Sequence, residues 1–133
     1  MIVGIAHVCY VVADLDTALA FYCGKLGLQE AFGFYREDGT RFGQYVHVGG
    51  RSFIELFQRE LAPRAEQQSY QHLCLEVDDV ASTVAELRAK GVEVSDAKLG
   101  GDNAWQAWIT DPDGNRIELH GYTETSKQGP FLA

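Results

Sequence analysis

At 133 residues, with 46% hydrophobic and 23% charged content, the chain is long enough for one domain with its own core, and its composition is globular. A formal net charge of −8 argues against a nucleic-acid role, which depends on clustered Lys and Arg, and no apolar run approaches the length that crosses a bilayer. Three cysteines (Cys9, Cys23 and Cys74) form no C-x-x-C pair, and no secretory leader is recognised, so reduced thiols in a cytoplasmic protein are expected.

Residues 2–12, rich in Val and Ile, predict a strand that sets Val3, Ile5, His7, Cys9 and Val11 on one face. Asp14 is placed to cap a helix in which Leu15, Ala18, Leu19 and Tyr22 hold the spacing of an apolar stripe, with Gly24 and Gly27 to end it. Strands are predicted at 29–37, 41–48 and 51–58, joined by turns at Asp38-Gly39 and Gly49-Gly50. The third puts Phe53, Glu55 and Phe57 on one face and Ile54 and Leu56 on the other. The polar segment 59–69, with Pro63, reads as a linker.

The order then starts again. Tyr70 to Val77 predicts a strand with His72 and Cys74 on one face. Asp78 or Asp79 caps a helix carrying Val80, Val84 and Leu87, and Gly91 ends it. Strands follow near 92–98, 104–110 and 115–122. The last is entered through Asp111-Pro112-Asp113-Gly114-Asn115, a run of turn-forming residues, and alternates so that Arg116, Glu118 and His120 share a face. The reading is an α+β chain of two βαβββ modules, at about 1–60 and 70–122, with a tail at 123–133.

The two copies match in chemistry as well as order. His7-Val8-Cys9 corresponds to His72-Leu73-Cys74, and Phe53-Ile54-Glu55-Leu56 to Arg116-Ile117-Glu118-Leu119. The His and Glu lie 48 residues apart in one copy (7 to 55) and 46 in the other (72 to 118). A single His on an apolar strand is usually a core residue bonded to backbone. Two at equivalent places, each matched by a Glu, point instead to a site for one divalent ion such as Zn, Ni, Co, Mn or Fe. Cys9 and Cys74 read as small buried apolar residues. His47 and His120, without repeat partners, read as surface or cavity-lining residues.

These residues resemble the vicinal oxygen chelate superfamily, which includes glyoxalase I, methylmalonyl-CoA epimerase, extradiol dioxygenases, fosfomycin-resistance enzymes and bleomycin-binding proteins. Three stretches carry the resemblance: His7; Asp14-Leu15-Asp16 through Ala18, Phe21-Tyr22 and Leu26-Gly27-Leu28; and Asp111 to Asn115 leading into Glu118-Leu119. It implies two curled sheets with helices outside, and a glyoxalase I-like ligand set of His7, Glu55, His72 and Glu118. It also implies a homodimer in which His7 and Glu55 of one chain meet His72 and Glu118 of the other.

The expected function is a metal-dependent lyase or isomerase of glyoxalase I-like type. An ion holding the oxygens of a small α-oxygenated carbonyl substrate eases loss of the adjacent C–H proton through an enediolate, and Glu55 or Glu118 is the base. The alternatives are a non-catalytic bleomycin-resistance-type binding protein and an Fe(II) extradiol-type dioxygenase, for which a fourth ligand obstructs positions that oxygen needs. Phe53, Phe57, Trp105 and Trp108 are candidates for an apolar substrate wall or for core packing. The sequence departs from glyoxalase I where that enzyme grips glutathione. Cys9 to Val12 carries no charge, and Gln58-Arg59 stands where an Asn is expected. Arg41, Arg51 and Arg59 are candidates to hold an anionic group in another arrangement, and read mainly as solvated charge.

Overall fold

The computed structural model describes residues 1–132, which form two compact units, Met1–Glu66 and a second beginning at Gln67. In the first, β1 (His7–Val12) leads into α1 (Leu15–Leu19), continued by a wider turn over Ala20–Lys25, and then into β2 (Gln29–Tyr35), β3 (Arg41–Gly49) and β4 (Ser52–Gln58). The sheet order is β1-β4-β3-β2, with β1 parallel to β4 and the other pairs antiparallel. The second unit repeats this with β5 (His72–Glu76), α2 (Val80–Ala89), β6 (Lys98–Leu99), β7 (Trp105–Thr110) and β8 (Arg116–Gly121), in the order β5-β8-β7-β6. The chain is therefore α+β, two βαβββ modules each with a four-stranded mixed sheet and a helix.

Alternation along the strands separates each sheet into a packed face and an open one. In the first unit Tyr10, Val12, Val46, Ile54 and Leu56 are buried together with Leu15, Ala18, Leu19, Phe21 and Tyr22 of the helical segment. In the second, Ala107, Ile109, Ile117 and Leu119 are buried with Val80, Val84 and Leu87 of α2. Asp79 caps α2 as its residue type predicts, accepting a hydrogen bond from the Ser82 amide at 3.0 Å. Asp14 has extended cap geometry but accepts from the Thr17 hydroxyl instead of a backbone amide.

Three elements differ from the sequence expectation. β1 starts at His7, not residue 2, because β4 offers no partner before Phe53; Val3 and Ile5 remain exposed. The first helix widens after Leu19, with the Leu26 amide bonded to the Phe21 carbonyl at 2.9 Å. That extra residue per turn lets the adjacent Phe21 and Tyr22 both be buried, their rings edge-to-face at 5.2 Å. A 3.6-residue period contains no sign of such an insertion. Finally, 92–98 is not a strand over its length: Val92 and Val94 are buried and Ser95 bonds to Trp108, but the regular pairing with β7 is confined to Lys98 and Leu99.

The turn into β8 follows its sequence closely. Asp111 is buried, and its carboxylate accepts from the Asp113 and Asn115 amides at 2.9 and 2.8 Å and from the Asn115 side chain at 2.8 Å. Gly114 supplies the left-handed conformation, at φ 85°. This knot fixes where β8 begins, and with it the register of every side chain on its open face.

Candidate metal centre

The open faces carry the residues singled out by the repeat, and the two sheets present them in the same register. Cys9 lies opposite Glu55 across the parallel β1–β4 pair, and Cys74 opposite Glu118 across β5–β8. His7 and His72 each sit one alternate position before. Across the antiparallel pair, Tyr45 faces Glu55 and Trp108 faces Glu118.

In the first unit His7 Nε2 lies 3.8 Å from Glu55 Oε1, and His7 Nδ1 is 3.3 Å from the Tyr45 hydroxyl. The Tyr45 phenol is pushed above its ordinary range, first by burial and then by its hydrogen bond to Glu55 and that carboxylate's charge, so it stays protonated at neutral pH. Around this pair the face is aromatic. Phe32 stacks on Tyr45 at 4.6 Å and 13°, and Phe34, Phe42, Phe53 and Phe57 are within ring-contact distance of one another or of Tyr45. Gly43 makes the arrangement feasible, since a Cβ there would lie 2.6 Å from the Phe57 ring.

In the second unit Glu118 is held at both oxygens. Oε2 lies 3.1 Å from His72 Nε2, and Oε1 lies 3.1 Å from His120 Nδ1. His120 is 8% exposed, its Nε2 lies 3.9 Å from Asp102 Oδ2, and Asp102 in turn accepts from Gln128 Nε2 at 2.6 Å. Of the two readings of His120, the surface one is thus corrected: it is a buried partner of Glu118. Its position two residues after Glu118 on the same strand face was the available signal. Its counterpart in the repeat is Phe57, by register rather than by residue type.

The cysteines are corrected too. Cys9 and Cys74 are exposed residues on the open faces, since alternation sends them to the same side as the histidines. Burial of its sulfur, then the charge and hydrogen bond of Glu118, push the Cys74 thiol up to about 12. Only about one such thiol in ten thousand is ionised at pH 8. Iodoacetamide should therefore alkylate Cys74 about a thousandfold more slowly than an ordinary cysteine, as read by peptide mapping over time. Glu118→Gln should accelerate it, and modification at the ordinary rate would refute this account of the thiol. Of the aromatic candidates, Phe53, Phe57 and Trp108 lie on the open faces, whereas Trp105, opposite Gly121, belongs to the other side. Arg41 is engaged by Asp16 at 3.7 Å and Glu30 at 3.3 Å.

The donor chemistry suits a divalent ion. Glu118, with a side chain only 14% exposed, has imidazole nitrogens at both oxygens, the nitrogen and oxygen donors that borderline metals take. Among the described residues, Cys74, Glu118 and His120 also have ligand atoms all within 4.8 Å of one another.

Residues 4–119 match the model of the Glyoxalase/Bleomycin resistance protein/Dioxygenase superfamily. The chain is 29% identical over 130 residues to the metallothiol transferase FosB of Staphylococcus epidermidis, covering 90% of this chain and 82% of that protein. It is 30% identical over 123 residues to a probable lactoylglutathione lyase of Synechocystis, covering 85% and 91%. In structure it is similar to TnmS3, an antibiotic binding protein from Streptomyces sp. CB03234, with TM-score 0.74, 28% identity, and 92% and 98% of the two chains covered. With the paired modules and their repeated His–Glu faces, these matches place the chain in the Glyoxalase/Bleomycin resistance protein/Dioxygenase superfamily.

Proposed function

We propose that the protein is a divalent-metal-dependent lyase or isomerase of glyoxalase I-like type, acting on a small α-oxygenated carbonyl compound. The observation that supports this most is the repetition, in identical register, of a His and a Glu on the open face of each module. His7, Glu55, His72 and Glu118 would hold one ion per site, which supplies positive charge where negative charge develops on the substrate oxygens.

The environments of the two glutamates divide their roles. Glu118 has both oxygens engaged by His72 and His120, and the Asp102–Gln128 contact backs His120, so it is the better-fixed ligand. Glu55 is held less tightly, by His7 at 3.8 Å and by the Tyr45 hydroxyl, and is the group free to move a proton. It takes the proton from the carbon next to the carbonyl and returns it to the neighbouring carbon or the opposite face. Tyr45, kept protonated, steadies the carboxylate and keeps His7 in one orientation.

A homodimer with shared sites fits the exposed apolar start of the chain, where Ile2, Val3 and Ile5 are 97%, 94% and 76% exposed. A second copy would cover such a strip. The binding-protein reading keeps one supporting observation, the aromatic face of the first unit, since flat apolar ligands stack on such surfaces.

The test is solvent-deuterium exchange into small hydroxycarbonyls by metal-loaded protein, beside steady-state assay on the methylglyoxal–glutathione hemithioacetal. Exchange is expected with the former, and turnover of the latter should be about a hundredfold or more below that of a glutathione-gripping enzyme. Two charge-assisted hydrogen bonds, each about 1.5–3 kcal/mol, are missing where Cys9 to Val12 carries no charge and Gln58-Arg59 replaces an Asn, the Arg59 guanidinium lying over the Phe57 ring at 5.6 Å. Efficient hemithioacetal turnover would identify a true glyoxalase I. Tight binding of an aromatic drug without any exchange would favour the binding protein.

A further inference from the structure

Where the first module has Phe53, the second has Arg116: each is the register partner of the first-strand histidine, His7 in one sheet and His72 in the other. The repeat therefore keeps its metal-type residues and replaces an aromatic beside them with a cation. Alternation places Arg116 on the same open face as Glu118, two residues away, so about 7 Å along the strand.

The guanidinium lies over the Trp108 ring at 4.3 Å from its centroid, and Trp108 meets His72 edge-on at 4.7 Å. Among the described residues no carboxylate comes within ion-pair distance of Arg116, in a chain of net charge −8. Stacking fixes the plane of a guanidinium while leaving its N–H edge free for a second partner. Arg116 and Trp108 also line a cavity of about 390 Å³ with Val94, Ser95 and Thr110. Along this edge the segment before Lys98 meets β7 only locally, the Ser95 amide donating to the Trp108 carbonyl at 3.0 Å and the Ser95 hydroxyl accepting from the Trp108 amide at 2.8 Å, where the first module has a full strand. Glu93 lines it as well without pairing with Arg116, and so limits the negative charge it accepts.

We propose that Arg116, seated over Trp108, is an oxyanion subsite beside the His72–Glu118 centre. The substrate is then an α-oxygenated carbonyl compound bearing a carboxylate, preferred over a phosphate dianion because of Glu93. This rests on the proposed function for the carbonyl end and on Arg116 alone for the anionic end. The planar fork suits two parallel hydrogen bonds to a carboxylate, which a point charge does not orient.

The experiment compares matched probes on the metal-loaded protein by calorimetry: 5-hydroxylevulinate against hydroxyacetone, and dihydroxyacetone phosphate against dihydroxyacetone. The carboxylate should bind about ten- to a hundredfold more tightly than its neutral partner, and the phosphate should gain less. Arg116→Gln should bring the carboxylate-to-neutral ratio to about one, and Arg116→Lys should retain part of it. A wild-type ratio near one, a ratio surviving Arg116→Gln, or no binding of any probe would overturn the subsite. Deuterium exchange with the same probes separates the two ideas. Anion preference without exchange leaves the subsite and sinks the isomerase chemistry; exchange without preference does the reverse.

Discussion

His72→Ala is expected to lower divalent-metal affinity by more than about a hundredfold, beyond the usual effect of losing an outer partner, and to abolish catalysis. Its Nε2 is 3.1 Å from Glu118 Oε2, so the change removes one nitrogen donor and frees the carboxylate it orients. Glu118→Gln should behave alike, because a neutral amide is a poor donor and cannot accept from two imidazoles at once. Glu55→Gln should differ, losing proton exchange while keeping more of the metal. Equilibrium dialysis of stripped and reloaded variants measures all three. Cobalt(II) loading adds an independent reading, since the wild type should show no thiolate-to-cobalt charge-transfer band. Full metal affinity in His72→Ala, or a band that disappears in Cys74→Ala, would move the centre to Cys74, Glu118 and His120.

Mixing inactive His7→Ala and His72→Ala chains should restore about one quarter of wild-type activity if sites are shared between two copies. Random exchange makes half of the dimers mixed, and in each of these one site is intact while the other carries both lesions. The alanines lie on open faces rather than in the packed core, so both variants should fold, which thermal unfolding checks. No recovery despite demonstrated subunit exchange would mean that each chain completes its own site. A shared site also predicts that truncating Met1 to Ile5, the exposed apolar strip, weakens assembly and activity together.

Much of this was open to reading from residue order. Periodicity and turn chemistry are local, so the two βαβββ modules, Asp79 as a cap, and the Asp111–Asn115 turn follow from neighbouring residues. The repeat carried the pairing of His7 with Glu55 and His72 with Glu118, because strand alternation decides which residues share a face before any packing occurs. What tertiary structure decided were matters of register and crowding. Only the pairing of β1 with β4 shows that the strand starts at His7, and only side-by-side burial of Phe21 and Tyr22 calls for the widened helical turn. The burial of His120 against Glu118, with Asp102 and Gln128 behind it, joins positions far apart in the chain. So does the stacking of Arg116 on Trp108 beside His72. No spacing rule encodes such contacts, since they depend on which strands meet and where one segment leaves the sheet.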